Sequence, residues 1–375
     1  MEQPQIKRYI RPIEEVRKIM LERSRASRNP FEFTDHKKIE RAFSALTSLD
    51  RDAWAEAFST LARPHEEEAR SAEEGGDGLR AKENYLTAYN YLRIARYPTT
   101  NSQGKKAAYL RCNENYLKAS RYFEPPMERV EMPFQARPGE GTTIVGLLQK
   151  PPGRGPLPVL VTWGGIDTFK EDRRGTPYLQ RNIAMLAIDM PGVGEAPIYG
   201  SEDAERMWNG VFDWLETRND LDSQRIGVLG LSTGGYWATK LAHTQKDRIR
   251  AAINHGGCAH YAFTPEWIEK SQHGEYPLEF AETLASAFGR ETFEQWLEYA
   301  PKLSLLDQGI LDRPCAPLLC INGLQDSTFP IKDHFLLLEH GLPKVARFFP
   351  GGHMGHSPTT IPTMANWMAE ALKAR

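Results

Sequence analysis

The chain has 375 residues, 40% hydrophobic and 26% charged, and its 47 Lys and Arg against 49 Asp and Glu leave a formal charge of −2. That is globular composition without the basic excess of a nucleic-acid binder. No uncharged apolar run reaches the roughly 18 residues of a membrane span, and four cysteines without CxxC or Cys/His spacing suit neither a disulfide scaffold nor a zinc site.

In chain order, the start MEQPQIKRYIRPIEEV lacks the apolar stretch of a signal peptide, so a cytoplasmic location is expected. Up to residue 125, apolar residues recur at helical spacing. They are Trp54, Phe58 and Leu61 in Arg51–Ala62, then Leu86, Tyr89, Leu92 and Ile94 in Leu79–Arg96, then Ala108, Leu110, Tyr116 and Leu117 in Lys105–Tyr122. EEGGDG (Glu73–Gly78) and YPTTNSQG (Tyr97–Gly104) interrupt the pattern, and EPP at Glu124–Pro126 ends it. Residues 1–125 therefore read as an N-terminal bundle of four or five helices.

From Glu128 the order becomes strand, loop, helix. Arg129–Gln135 and Thr143–Lys150 suggest a hairpin. Pro158–Trp163, Ala184–Asp189, Arg225–Gly230, Arg250–Asn254, Ala316–Ile321 and Val345–Phe349 are short apolar runs of the kind buried in a parallel sheet. Asp203–Arg218 carries Met207, Trp208, Val211, Phe212 and Leu215 on one helical face. Residues 126–375 are thus expected to form an α/β domain, a mostly parallel, doubly wound sheet of eight strands, with a helical insert near 262–306.

Gly230-Leu231-Ser232-Thr233-Gly234 is a G-x-S-x-G at the end of the apolar strand RIGVLG and the start of a helical run. That is the setting of a nucleophile elbow, with Ser232 at the carboxyl edge of the sheet. A serine hydroxyl needs a base, and the base needs an orienting carboxylate. In the expected order, Asp326 follows the strand APLLCI in NGLQD, and His353 follows the last strand in PGGH. A cap on the helix near Pro330 is the competing role for Asp326, and His356 is the competing base. The oxyanion donors expected are the N–H of Thr233 and one from Trp163-Gly164-Gly165-Ile166-Asp167, either Ile166 or Gly165. Asp189 or Glu195, in DMPGVGE, is expected to organise nearby backbone. Candidate substrate contacts are Trp163, Tyr236, His255 and His260, with core packing the alternative for Tyr236 and loop structure for the histidines. No cofactor or metal motif is present; the expected partner is a small-molecule substrate, with no nucleic acid and no membrane.

GGIDTFKED (Gly164–Asp172), DMPGVGE, GLSTGGYWATKLA (Gly230–Ala242), NGLQD and PGGH together resemble the α/β-hydrolases with an N-terminal helical domain. That group includes 2,6-dihydroxypseudooxynicotine hydrolase, the fungal heptaketide-shortening hydrolases and the fermentation-respiration switch proteins. NYLRIARYP and YLKASRYFEPPMERVEMPF extend the resemblance over most of the chain. It implies Ser232 as nucleophile, Asp326 as acid, His353 as base, and Ile166 with Thr233 as oxyanion donors. It also implies a helical cap over the catalytic edge, allows a homodimer, and suggests Glu266 as the further acid that C–C hydrolases of the group use. Hydrolysis of a C–C bond beside a ketone in an aromatic or polyketide-like compound is then the first expectation. Carboxylesterase action through a Ser232 acyl-enzyme is the second, and a binding protein on a hydrolase scaffold the third.

Overall fold

The computed structural model describes residues 6–153 and 155–373; part of the start read above for a leader, residues 1–5, lies outside them. The described chain divides into two compact units: residues 10–127 with the short segment 277–279, and the remainder from residue 128 onward with the stretch before Ile10.

The first unit is helical: α1 (Ile13–Arg25), α2 (His36–Ala45), α3 (Arg51–Glu74), α4 (Gly78–Ala95) and α5 (Gln103–Ser120). Four of these helices start at side-chain caps, Asp35, Asp50, Asp77 and Ser102, each accepting a backbone N–H of the first turn. Helix α3 runs past Pro64 to Glu74, well beyond the periodic stretch in the sequence. The apolar face resumes at Ala69 and Ala72, which pack with Ala81, Tyr85 and Ala119, and that packing outweighs a local cost of about 3 kcal/mol for the proline. Leu110 is a correction: it is 67% exposed. The buried face of α5 is Ala108, Cys112, Asn115, Tyr116 and Ala119, and a residue two positions from Ala108 points the other way.

The second unit is built on one eight-stranded sheet: β1 (Met127–Pro133), β2 (Thr143–Gln149), β3 (Leu157–Trp163), β4 (Ala184–Ile188), β5 (Leu221–Leu231), β6 (Ala251–His255), β7 (Leu318–Gly323) and β8 (Lys344–Phe349). Their order is β1-β2-β4-β3-β5-β6-β7-β8. β2 runs antiparallel to β4, and every pair from β4 to β8 is parallel. The intervening helices are α6 (Thr176–Leu179), α7 (Met207–Glu216), α8 (Thr233–Thr244), α9 (Pro265–Ser271), α10 (Phe280–Ala287), α11 (Phe293–Tyr299), α12 (Ile331–Glu339) and α13 (Thr360–Ala371). β3, β4 and β6 are buried at every position, as the uninterrupted apolar runs require. Met364, Ala365 and Met368 of α13 pack on Leu160, Leu229, Ile253 and Leu319. Trp208 of α7 lies between Trp163 and Trp237, with ring centroids 4.7 and 5.8 Å away.

The strand order reverses direction at β3, whose neighbours are β4 and β5, and such a switch point is where open α/β sheets bind ligands. Parallel register carries the residues of interest to this one edge. Trp163 lies opposite Gly230, Leu231 opposite His255, His255 opposite Ile321, and Gly323 opposite Phe349. Among the described residues no helix is long and apolar enough to cross a membrane, and all four cysteines are buried and unbridged.

Candidate active site

Ser232 stands between β5 and α8 with φ +53° and ψ −130°. A non-glycine residue there costs of order 1–3 kcal/mol, and it persists only where its surroundings fix it. The fixing is tight. A Cβ on Gly230 would fall 2.0 Å from the Gly234 carbonyl oxygen, and one on Gly234 would fall 2.2 Å from the Gly164 carbonyl oxygen. The Trp163 indole N–H donates to the Gly234 carbonyl at 2.8 Å, bracing the first turn of α8. The Ser232 N–H itself donates to the His255 carbonyl at 2.8 Å.

The sequence candidates for base and acid converge on this serine. His353 Nε2 lies 2.8 Å from Ser232 Oγ, and His353 Nδ1 lies 2.8 Å from Asp326 Oδ2. A carboxylate only accepts, so Nδ1 carries the proton and Nε2 faces the hydroxyl as an acceptor. Burial raises the Asp326 pKa, but the His353 charge and hydrogen bond, the Phe329 N–H and the Asn322 amide outweigh it and hold the carboxyl below its ordinary value. Burial likewise lowers the His353 pKa, but Asp326, its hydrogen bond, Glu275 and Asp167 outweigh it and raise the imidazole above its ordinary value. Asp326 also accepts from the Thr328 and Phe329 N–H groups at 2.7 and 3.0 Å. It therefore orders the loop ahead of α12 and does not cap that helix, whose N-cap is Pro330. His356 is exposed and takes no part in the relay.

Three residues that sequence reasoning missed or placed elsewhere clamp the loop bearing His353. The Asn322 side chain accepts from the Gly323 and Met354 N–H groups at 2.8 and 2.9 Å and donates to Asp326 Oδ2 at 2.8 Å. Glu275, within the helical insert, accepts the His353 N–H at 2.8 Å. The buried His255 ring lies 2.8 Å, through Nε2, from the Met354 carbonyl. Asn322 carried a faint signal as a polar residue at the end of an apolar strand, whereas Glu275 carried none. Phe329 presents its ring to His353, centroids 5.7 Å apart, and Phe280 packs on Phe329 at 5.9 Å.

The loop after β3 presses on the serine: a Cβ on Gly165 would fall 2.9 Å from Ser232 Cβ. Gly165 is a correction, because its N–H is spent on Thr168 Oγ1 at 2.8 Å and is not available as a donor. Ile166 and Thr233 are left. Thr233 is the first residue of α8, so its N–H has no acceptor within its own helix, and among the described residues the Ile166 N–H has none either. The far end of this loop is anchored by buried Lys170. Its ammonium lies 2.9 Å from Asp189, 2.9 Å from Glu171 and 2.6 Å from Glu195. Asp189 also accepts the backbone N–H groups of Lys170 and Glu195 at 2.8 and 3.0 Å, the organising part expected of it.

Trp163 and Tyr236 are fully buried; the Tyr236 ring packs on Trp237 and Phe263, so both belong to the core. His260 is held 2.7 Å from Ser304 Oγ, and Asp333 accepts its backbone N–H. Glu266 is exposed in the first turn of α9. Among the described residues no group of three or more His, Cys, Asp or Glu is arranged to hold a metal ion.

Residues 40–341 match the family described as esterase FrsA-like, a span that includes Ser232 and Asp326 and stops short of His353. The chain is similar to Esterase FrsA of Enterobacter sp. (strain 638), 27% identical over 240 residues, 62% of this chain and 56% of that protein. It is also similar to Esterase FrsA of Yersinia pestis (strain Pestoides F), 26% identical over 277 residues, 72% of this chain and 65% of that one. The match thus spans less than two thirds of either relative. Among solved structures, 2,6-dihydroxy-pseudo-oxynicotine hydrolase superposes with a TM-score of 0.73 at 24% identity, covering 90% of this chain and 93% of that one. AbyA5 superposes with a TM-score of 0.70 at 20% identity, over 94% and 98%. At these identities the likeness is one of α/β-hydrolase fold.

Proposed function

The chain belongs to the esterase FrsA-like family, and from that premise we propose that it is a serine hydrolase cleaving a carboxylic ester of a small molecule, with Ser232 as nucleophile, His353 as base and Asp326 as acid. The observation that carries this reading is the relay of two 2.8 Å contacts, Asp326 to His353 to Ser232. His353 Nε2 takes the hydroxyl proton as Ser232 Oγ bonds to the ester carbonyl carbon. The negative charge that develops on the carbonyl oxygen is met by the N–H groups of Thr233 and Ile166. The imidazolium, stabilised by Asp326, returns its proton to the departing alkoxide, leaving an acyl-Ser232. A water then gives a proton to His353 Nε2 and attacks the acyl carbon, and Ser232 leaves as the hydroxyl once the proton is returned.

A second reading keeps these residues and changes the bond. Ser232, or a water activated by His353, adds to a ketone, and the C–C bond beside it breaks to a carbon leaving group that must be protonated. The proton this leaving group needs can come from His353 Nε2, which takes one from the attacking group and returns it, as in the ester reading. Two matched aromatic substrates, an ester and a 1,3-diketone of similar size, decide between the readings through kcat/KM, with Ser232→Ala as control. Ester turnover that disappears in Ser232→Ala is the expected result; turnover of the diketone alone would transfer the proposal to C–C hydrolysis. Ester turnover untouched by Ser232→Ala would defeat the acyl-enzyme reading.

A further inference from the structure

We propose that His255 is a positioning residue for the base, acting by donating its Nε2–H to the Met354 carbonyl and so holding the turn that aims His353 at Ser232. The inference rests on the reading of Ser232 and His353 given above. Met354 follows the base directly and adopts φ +67°, a left-handed conformation that a methionine does not hold unaided. Its peptide groups are gripped from both sides: the N–H by Asn322 Oδ1 at 2.9 Å, the carbonyl by His255 Nε2 at 2.8 Å. A carbonyl accepts only, so the imidazole is in the Nε2–H tautomer, and Nδ1 has no partner among the described residues.

The same residue touches the nucleophile. Its carbonyl accepts the Ser232 N–H at 2.8 Å, and the next residue, Gly256, is close enough to the base that a Cβ there would lie 3.4 Å from His353 Cε1. One residue at the end of β6 is therefore hydrogen-bonded to the serine through its backbone and to the histidine loop through its ring. Burial, with the nearby His356, His353 and Arg173, lowers the His255 pKa to about 3. The ring thus stays neutral over any working pH and keeps the single donor this contact uses. A proton acceptor or a base at the substrate would need the other arrangement, a ring nitrogen open to the ligand, and His255 is only 4% exposed.

The test uses the full chain, a fluorophosphonate probe that reacts with an activated serine, and 4-nitrophenyl butyrate. His255→Phe keeps an aromatic ring and loses the donor, whereas His255→Gln places an amide N–H at the same number of bonds from the backbone. For His255→Phe the labelling rate constant and kcat per labelled serine are expected to fall together by roughly 10- to 100-fold, with KM within about twofold of the parent. His255→Gln is expected to recover to within about threefold. The rate constant reports the folded fraction alone, so misfolding lowers the amplitude and leaves it unchanged. An unchanged rate constant in His255→Phe, or His255→Gln as impaired as His255→Phe in rate or amplitude, overturns the positioning role. A parent that is not labelled, or a Ser232→Ala variant labelled as fast, overturns the triad reading instead, and this inference with it.

Discussion

Ser232 and His353 meet at one 2.8 Å contact, but they arrive there by opposite means. Ser232 is fixed mainly by sterics: Gly230 and Gly234 leave its strained backbone nowhere to go, and Gly164 and Trp163 at the end of β3 close on the turn. His353 sits in a loop without secondary structure between β8 and α13, and what fixes it comes from far along the chain. Asn322 at the end of β7, His255 at the end of β6 and Glu275 in the insert each hold one backbone group of His353 or Met354. Steric exclusion places the serine, and polar side chains place the histidine. Substitutions should therefore damage the elbow through stability and the base loop through rate.

Removing the chemistry on either side gives the largest effect. Ser232→Ala should lower kcat on an ester by roughly four to six orders of magnitude, and His353→Ala should match it, because members of such a relay act as a unit. His356→Ala should leave kcat within about twofold, since that side chain is exposed. A dead His356→Ala beside an active His353→Ala would reverse the assignment. Gly230→Ala tests the steric side. Its Cβ would meet backbone 2.0 Å away, which side-chain motion cannot relieve, so urea unfolding should show a loss of about 3 kcal/mol or more. A stable, fully active Gly230→Ala would mean that the elbow is looser than its spacing requires. Asn322→Ala tests the polar side. It frees the Met354 N–H and removes a donor from Asp326, and kcat should drop by about 100-fold with KM little changed. A change in KM alone would show that the substrate, and not the base, depends on Asn322.

The same division explains what could be read from the sequence. The elbow is written locally: apolar strand, G-x-S-x-G and helix are adjacent, and short-range sterics reproduce them in the fold. Asp326 and His353 were legible because each directly follows an apolar run that became β7 or β8. Their supports were not legible, since nothing near Glu275 in the chain indicates that it will meet the His353 N–H, and the contact joins residues separated by 78 positions. His255 and Trp163 stand out as polar or aromatic groups at strand ends, which makes both candidates for substrate contact, with loop structure the alternative for His255. Their partners, the Met354 and Gly234 carbonyls, appear only when the loops are folded. Gly165 failed as a donor for a similar reason, because Thr168 lies close enough in the turn to capture its N–H.

A smaller expected effect separates the two parts that Glu275 combines. Its carboxylate holds the His353 N–H, and its negative charge helps to raise the His353 pKa after Asp326 has made the larger contribution. Glu275→Gln keeps a carbonyl oxygen for the N–H and removes the charge. The base works only when neutral, so kcat/KM rises as pH rises through the His353 pKa, and in the parent that acid limb lies above the ordinary imidazole value of 6.5. Without the Glu275 charge the imidazolium is less stabilised, its pKa falls, and the limb should move to lower pH while the plateau changes by no more than a few fold. A profile of kcat/KM on an ester between about pH 5 and 9 measures it. Because Glu275 is partly exposed, added salt should weaken its share in the parent and bring the two profiles together. A limb that stays in place with the plateau unchanged would assign Glu275 to geometry alone. A limb that stays in place together with a plateau lowered a hundredfold would show that the glutamine does not hold the turn, and that this clamp depends on charge after all.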